Sequence, residues 1–442
     1  MTAAALRTQV STEVAIIGAG PAGLSAASRL GGTHRRRVLV LDREQSAGGI
    51  PRHSDHLGYG IRDLRTFITG PAYAHRLTRR AETAGARIVT RAMVTAINPD
   101  NSLDVTTPEG LQRITAAALV LATGARERPR PARLIPGDRP AGVYTTGHLQ
   151  NIVHLHHGTV GKRAVVVGAE LVSWSAVMTL RHAGADTVLV TSQYRSPESY
   201  GVFNLGGRAM FRVPIATRSR LTRIIGRPTV QAVEIENLDS GERRVINCDT
   251  VVFTGDWIPD HELARSAGIE IDPATKGPLV DTALHTSRQG VFAAGNVVHP
   301  VDTADIAALD GMFVADEVHR CLSSPGKATT PVLRLKPGST LRWLAPGLLS
   351  PDAAGPPRGR LLAWTDHLVR FPKVTVSQGG RVIAAKRLPW PATPGRVFRI
   401  PASLLDRLDP HHGDATVDIA NASAASATTG AAVRTGAPAS TR

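Results

Sequence analysis

The sequence predicts an α/β protein with a β-rich end, and three stretches carry that prediction. "EVAIIGAGPAGLSAASRL" runs from an apolar strand through closely spaced glycines into an Ala/Leu-rich helix, and "RRVLVLD" supplies a second strand. "RAVVVGAELVSWSAVMTLRHAGADTVLV", Arg163 to Val190, repeats the strand–turn–helix–strand shape with fewer glycines. Beyond residue 331 the pattern changes to short alternating runs such as "KVTVSQGGRVIAAKRL", where "SQGG" suits a hairpin turn. Two Rossmann-like dinucleotide-binding units and a small C-terminal β-rich domain are the expected architecture.

Bulk properties fit that reading. A chain of 442 residues holds two or three domains. No apolar run approaches the ~18 residues needed to cross a bilayer. Cys248 and Cys321 are the only cysteines, which excludes a disulfide framework and a CxxC pair and points to the cytoplasm. The formal charge is +16, yet only 6 of the 52 basic residues are Lys, the arginines are scattered and aromatics make up 4%. That distribution argues against nucleic acid as a partner, while a basic surface still attracts an acidic substrate or an acidic partner protein. The "HLHH" cluster, His154 to His157, has no acidic or Cys neighbour in sequence, so no metal site is expected.

The first unit is complete. Gly18, Gly20 and Gly23 stand at G-x-G-x-x-G spacing between strand and helix, and the second strand closes on Asp42. Gly18 permits the tight turn, Gly20 lets backbone approach a diphosphate, and Gly23 lets helix and strand pack closely. The amides at the helix start attract phosphate, and Asp42 is placed to accept from ribose hydroxyls.

Two further strands narrow the nucleotide. "AAALVLATGARERP" (116–129) ends in Ala122-Thr123-Gly124, and "TSRQGVFAAGNVVHP" (286–300) ends at Gly295-Asn296. With these motifs in this order the sequence resembles the glutathione-reductase-like, or pyridine nucleotide-disulphide oxidoreductase, superfamily over about residues 14–320. The resemblance implies FAD on the first turn and a second dinucleotide domain inserted in the first. It divides the chain into an FAD-binding domain (1–149 and 265–322) and an NAD(P)-binding-like domain (150–264); the residue pattern adds the β-rich domain (331–420) and a low-complexity tail expected to be disordered (421–442). It also places Arg43, Gly49 and Val94 against the cofactor. Asn296 stands where the family usually has Asp, which keeps hydrogen-bonding capacity for a ribityl hydroxyl but no charge.

The second turn departs from the pattern. Glu170 occupies the second glycine position and Ser173 the third. A carboxylate there is expected to collide with a diphosphate and to repel it; a like-charge pair at 4 Å costs about 4 kcal/mol at an effective dielectric of 20. Impaired use of NAD(P) is the expectation.

The segment "GGIPRHSDHLGYGIRDL" (48–64) has the double glycine of the disulfide reductases but no cysteine. It resembles a narrower group: flavoprotein subunits related to anaerobic glycerol-3-phosphate, opine and hydroxyproline dehydrogenases and hydrogen cyanide synthase. "TGPAYA" (69–74) and "GNVVHPVDTADIAALDG" (295–311) fit the same group. Arg52, His53 and His56 are the candidate catalytic residues, with His299 a further one. A His has a pKa suited to removing a proton while hydride leaves, and Arg suits a carboxylate or phosphate. The resemblance implies an FAD-dependent oxidoreductase that takes hydride from a small amine, amino acid or hydroxy acid. Electrons then pass to a quinone, an iron–sulfur partner or a partner dehydrogenase. The alternatives are an NAD(P)H-dependent flavin reductase and a non-catalytic FAD-binding subunit.

Overall fold

The computed structural model describes residues 8–300, 302–324, 333–350 and 355–420. The expected linker "SSPGKATTP" falls largely outside them, and the tail 421–442 lies wholly outside.

The first sheet is built around the strand Thr8–Ile17, whose run Val14–Ile17 is buried. It pairs in parallel with Val38–Leu41 on one side and Gly110–Leu121 on the other. Arg87–Val89 extends the parallel edge, and Leu103–Thr107 and Met93–Ile97 add an antiparallel flap. The short strand Val291–Ala293 returns much later and pairs with Gly110–Leu121. That return is what inserts the second unit into the first. A parallel arrangement buried on both faces demands continuous apolar strands, and "VLVL" and "AALVL" meet the demand. The helices Pro21–Gly32 and Ala304–Ser323 pack on one another against this sheet.

The inserted unit is a five-stranded parallel sheet in the order Val143–Thr145, Thr250–Phe253, Arg163–Val167, Asp186–Thr191 and Ile215–Ala216. It begins with Val143–Thr145, ahead of residue 150, because that strand completes the sheet edge against Thr250–Phe253. An antiparallel three-stranded meander spans Ser219 to Asn247.

The C-terminal part is β-rich, as expected. The hairpin of Lys373–Gln378 and Arg381–Arg387 turns at Gly379-Gly380, with φ of 57° and 76°. Two consecutive positive φ values are what a two-residue hairpin matching strand twist requires. Trp343 and Trp364 stack with ring centroids 6.0 Å apart and join the first domain's hydrophobic core, so this part packs directly on that domain.

Candidate active site

A cavity of about 1430 Å³ opens at the carboxyl ends of both parallel sheets, where ligands bind in open α/β folds. Its volume exceeds the about 300–1,000 Å³ typical of a single small-molecule pocket. Gly18, Gly20, Asp42 and Arg43 line it, as do Gly49, Val94 and Asn296, and the strand end Ala122-Thr123-Gly124.

The first turn fits FAD. Gly18 has φ +107°, and a Cβ there would fall 2.4 Å from Ala122 O. A Cβ on Gly23 would fall 1.9 Å from Gly18 O, so Gly23 sets packing and does not line the cavity. Gly20 differs, because its Cβ would meet nothing within 4 Å. It would project into open cavity at a helix start that carries no side-chain cap. Unpaired amides beside bare backbone are what a diphosphate needs. Asp42 braces the same turn, its Oδ2 accepting from Ala19 N at 2.6 Å and its Oδ1 from Glu44 N at 2.8 Å. Each oxygen keeps a further lone pair for a ribose hydroxyl. Gly295 lies behind the wall, with φ +75° and an imaginary Cβ 2.9 Å from Ala22 Cβ. Asn296 lines the cavity while its amide ties the loop, donating to Asp302 O at 3.0 Å and accepting from Asp302 N at 3.3 Å.

The second turn is closed by its own side chain. Glu170 stands at the N-cap of the helix Leu171–His182, and its N–H donates to Ser173 Oγ at 3.0 Å. Its carboxyl crosses to the end of Thr250–Phe253, so that a Cβ on Gly255 would come within 2.2 Å of it. Gly395 of the C-terminal part closes in from beyond; a Cβ there would sit 2.2 Å from Glu198 Cβ and 3.4 Å from Glu170 Cγ. Burial, and then the neighbouring Glu198, push the Glu170 pKa up to about 8. The group is therefore largely protonated at neutral pH, which corrects the expectation of charge repulsion. The Glu170 side chain occupies the space between this helix start and Gly255.

Between the two turns lies a polar cluster. His56 Nδ1 sits 2.8 Å from Leu57 O. A carbonyl only accepts, so Nδ1 carries the proton and Nε2 presents its lone pair. Ser175 Oγ reaches Nε2 at 2.7 Å and Ser54 Oγ at 3.0 Å. Gln150 Nε2 donates to both hydroxyls, at 2.7 Å to Ser175 and 3.2 Å to Ser54. Burial lowers the His56 pKa, so the ring is neutral near pH 7. His53 is buried with Nδ1 unpartnered; burial and the adjacent Arg52 bring its pKa down to about 4. Tyr59, its phenol pushed up to about 12 by burial, packs 5.5 Å from the His56 ring.

The structure brings Arg52, His53 and His56 together on the cavity and leaves His299 outside it. The Arg52 guanidinium is tied to the segment after Asp42, donating to Ser46 O at 2.8 Å and Glu44 Oε2 at 3.4 Å. Its Nε is buried without a hydrogen-bond partner, on the wall of the cavity. His299 does not reach the cavity. Its Nε2 lies 2.7 Å from Asp310 Oδ2, and Asp310 also pairs with Arg358 of the C-terminal part. Buried at 5% exposure, His299 belongs to an ion cluster that fastens two parts of the molecule. Ser54, Gln150 and Ser175 were missed in the sequence. Ser175 lies 119 residues from His56, and no local pattern marks such a pair.

The fold and the first turn define a flavoprotein with two dinucleotide-type domains. The chain belongs to the pyridine nucleotide-disulphide oxidoreductase family, whose model matches residues 12–311, and is an FAD-dependent oxidoreductase. It is 28% identical over 293 residues to a thioredoxin reductase of Treponema pallidum, covering 64% of this chain and 88% of the relative. It is 27% identical over 319 residues to an opine oxidase subunit of Agrobacterium tumefaciens, covering 64% of this chain and 61% of that relative. The fold matches thioredoxin reductase of T. acidophilum with a TM-score of 0.60 at 21% identity, over 71% of this chain and 99% of that one. It also matches L-proline dehydrogenase of P. horikoshii with a TM-score of 0.56 at 18% identity, over 73% and 58%. Among the described residues no helix is long and apolar enough to cross a membrane.

Proposed function

We propose that this chain is a dehydrogenase of the cysteine-less group, or the flavin-bearing subunit of one, that oxidises a small amine, amino acid or hydroxy acid directly at FAD. Electrons then leave to a quinone or an iron–sulfur partner. The observation that carries this reading is the contrast between the two helix starts, open at Gly20 and filled at Glu170. One dinucleotide has a cradle and the second does not, so the reductant must reach the flavin by another route. The similarity to a protein named as part of an opine oxidase supports both the substrate class and a partner.

Bound FAD supplies a two-electron acceptor for hydride. His56 supplies the base. Its Nε2 takes the proton from the substrate N–H or O–H in place of the Ser175 hydroxyl, while hydride leaves the adjacent carbon and a C=N or C=O bond forms. Ser54, Ser175 and Gln150 hold the ring in the tautomer that can accept. His53 lines the wall as a neutral ring, and Arg52 sits toward the cofactor phosphates.

Anaerobic mixing with a panel of amines, amino acids and hydroxy acids tests this, followed as loss of flavin absorbance. Bleaching by a member of the panel and none by NADH or NADPH is expected. Rapid bleaching by micromolar NADH or NADPH, with none from the panel, overturns it in favour of a nicotinamide-dependent reductase.

A further inference from the structure

The helix Gly201–Phe211, "GVFNLGGRAMF", is turned inside out. It docks through Asn204, Gly207 and Phe211, which share one side at helical spacing. Asn204 Oδ1 accepts from Trp174 Nε1 at 3.0 Å and its Nδ2 donates to Ser199 O at 3.0 Å. Gly207 lies against the Trp174 ring so closely that a Cβ would fall 2.4 Å from it, and Phe211 stacks on the same ring at 6.5 Å. The opposite side carries Val202, Leu205 and Met210, exposed at 74%, 74% and 76%, with Phe203 beside them at 52%. None of the 11 residues is buried. A surface helix normally turns its apolar stripe to the core; this one leaves Val202, Phe203, Leu205 and Met210 in water.

The surroundings extend the patch. Gly201 and Asn204 share a groove with Leu368 and Phe371 of the C-terminal part, and both of those are exposed. Arg208, Arg212 and Arg370 lie in the same segments, all exposed, and none forms an ion pair among the described residues. The helix contains no acidic residue.

We propose that this face rests on an anionic membrane surface. The outward residues of Gly201–Phe211 enter the headgroup–acyl boundary while the arginines meet lipid phosphates. An amphipathic segment with bulky apolar residues on one side and cations at its flanks binds in this way. Charge and chemistry favour lipid over the other occupants. A second copy would set like-charged arginines against each other. A protein interface needs hydrogen bonds, about one per 100–200 Å², and the outward stripe offers no side-chain donor or acceptor. The placement holds whichever substrate reduces the flavin.

Co-sedimentation of the full chain with phosphatidylglycerol and with phosphatidylcholine vesicles tests it, beside the exposed-site double variant L205S/M210S. Pelleting with phosphatidylglycerol, weaker with phosphatidylcholine and reduced at least tenfold in L205S/M210S at equal flavin content, is expected. Failure to pellet with phosphatidylglycerol overturns the proposal. So does pelleting that L205S/M210S leaves unchanged, since the overall positive charge alone would then be responsible. A dimer in solution that L205S/M210S dissociates overturns it as well, by giving the face to a second copy.

Discussion

His56 Nε2 lies 2.7 Å from Ser175 Oγ, and this contact joins the loop after the first glycine turn to the helix of the inserted unit. The Ser175 hydroxyl donates to the lone pair that a base must use, so it stabilises the neutral ring. Replacement His56→Asn is expected to slow substrate-driven flavin reduction about 10²–10³-fold without loss of bound FAD. Because burial lowers the His56 pKa, the rate is held through neutral pH and lost as pH falls below the ordinary histidine range. In Ser175→Ala the neutral form loses a donor, so the acid limb moves to higher pH. Stopped-flow pH profiles of both variants check this; an unmoved limb in Ser175→Ala would show the contact to be structural only.

The first turn offers a cleaner dissection. Gly20→Val places its side chain in open cavity, so the chain should fold with near-native melting yet emerge colourless. Gly18→Ala and Gly23→Ala drive a methyl into backbone at 2.4 and 1.9 Å, so both are expected to lower stability before cofactor enters the question. Thermal melts of the apo and FAD-loaded forms, with absorbance at the flavin band, separate the two effects.

Glu170 makes two predictions of opposite kind. Glu170→Gly removes the side chain from the cleft, and NADPH affinity by calorimetry should rise at least tenfold; no gain would assign the obstruction to the Gly395 loop instead. Glu170→Gln keeps the shape and removes the titration. The folded pKa, about 8, stands above the ordinary value of 4.5. Stability from this proton is therefore complete below about pH 4.5 and lost as pH rises through 8. Relative to the native chain, Glu170→Gln should gain on the order of 4 kcal/mol between pH 5 and 9 in urea unfolding.

Asp310 is held below the usual carboxylate range by His299 and Arg358 despite its burial. Asp310→Ala leaves the buried His299 and the half-buried Arg358 without this partner and should cost about 3–5 kcal/mol, read by denaturant melts. His299→Gln is expected to lower stability while sparing the rate of flavin reduction. A rate loss in His299→Gln as large as that of His56→Asn would return His299 to the chemistry.

The sequence alone determined the α/β class, the FAD turn and the hairpin at Gly379-Gly380. Each depends on residues within one turn of chain, where glycine spacing and apolar runs act directly on backbone geometry. The irregular second turn was legible for the same reason, and the resemblance of residues 48–64 to a cysteine-less group singled out His56 as a candidate. Tertiary structure decided what those residues face. It took His299 into an ion cluster with Arg358, tied Arg52 to Glu44, and brought Ser175 to His56 across 119 residues. It also buried Glu170 and set it beside Glu198, and both raise its pKa. Burial and long-range pairing set protonation and orientation, and neither is written in local spacing.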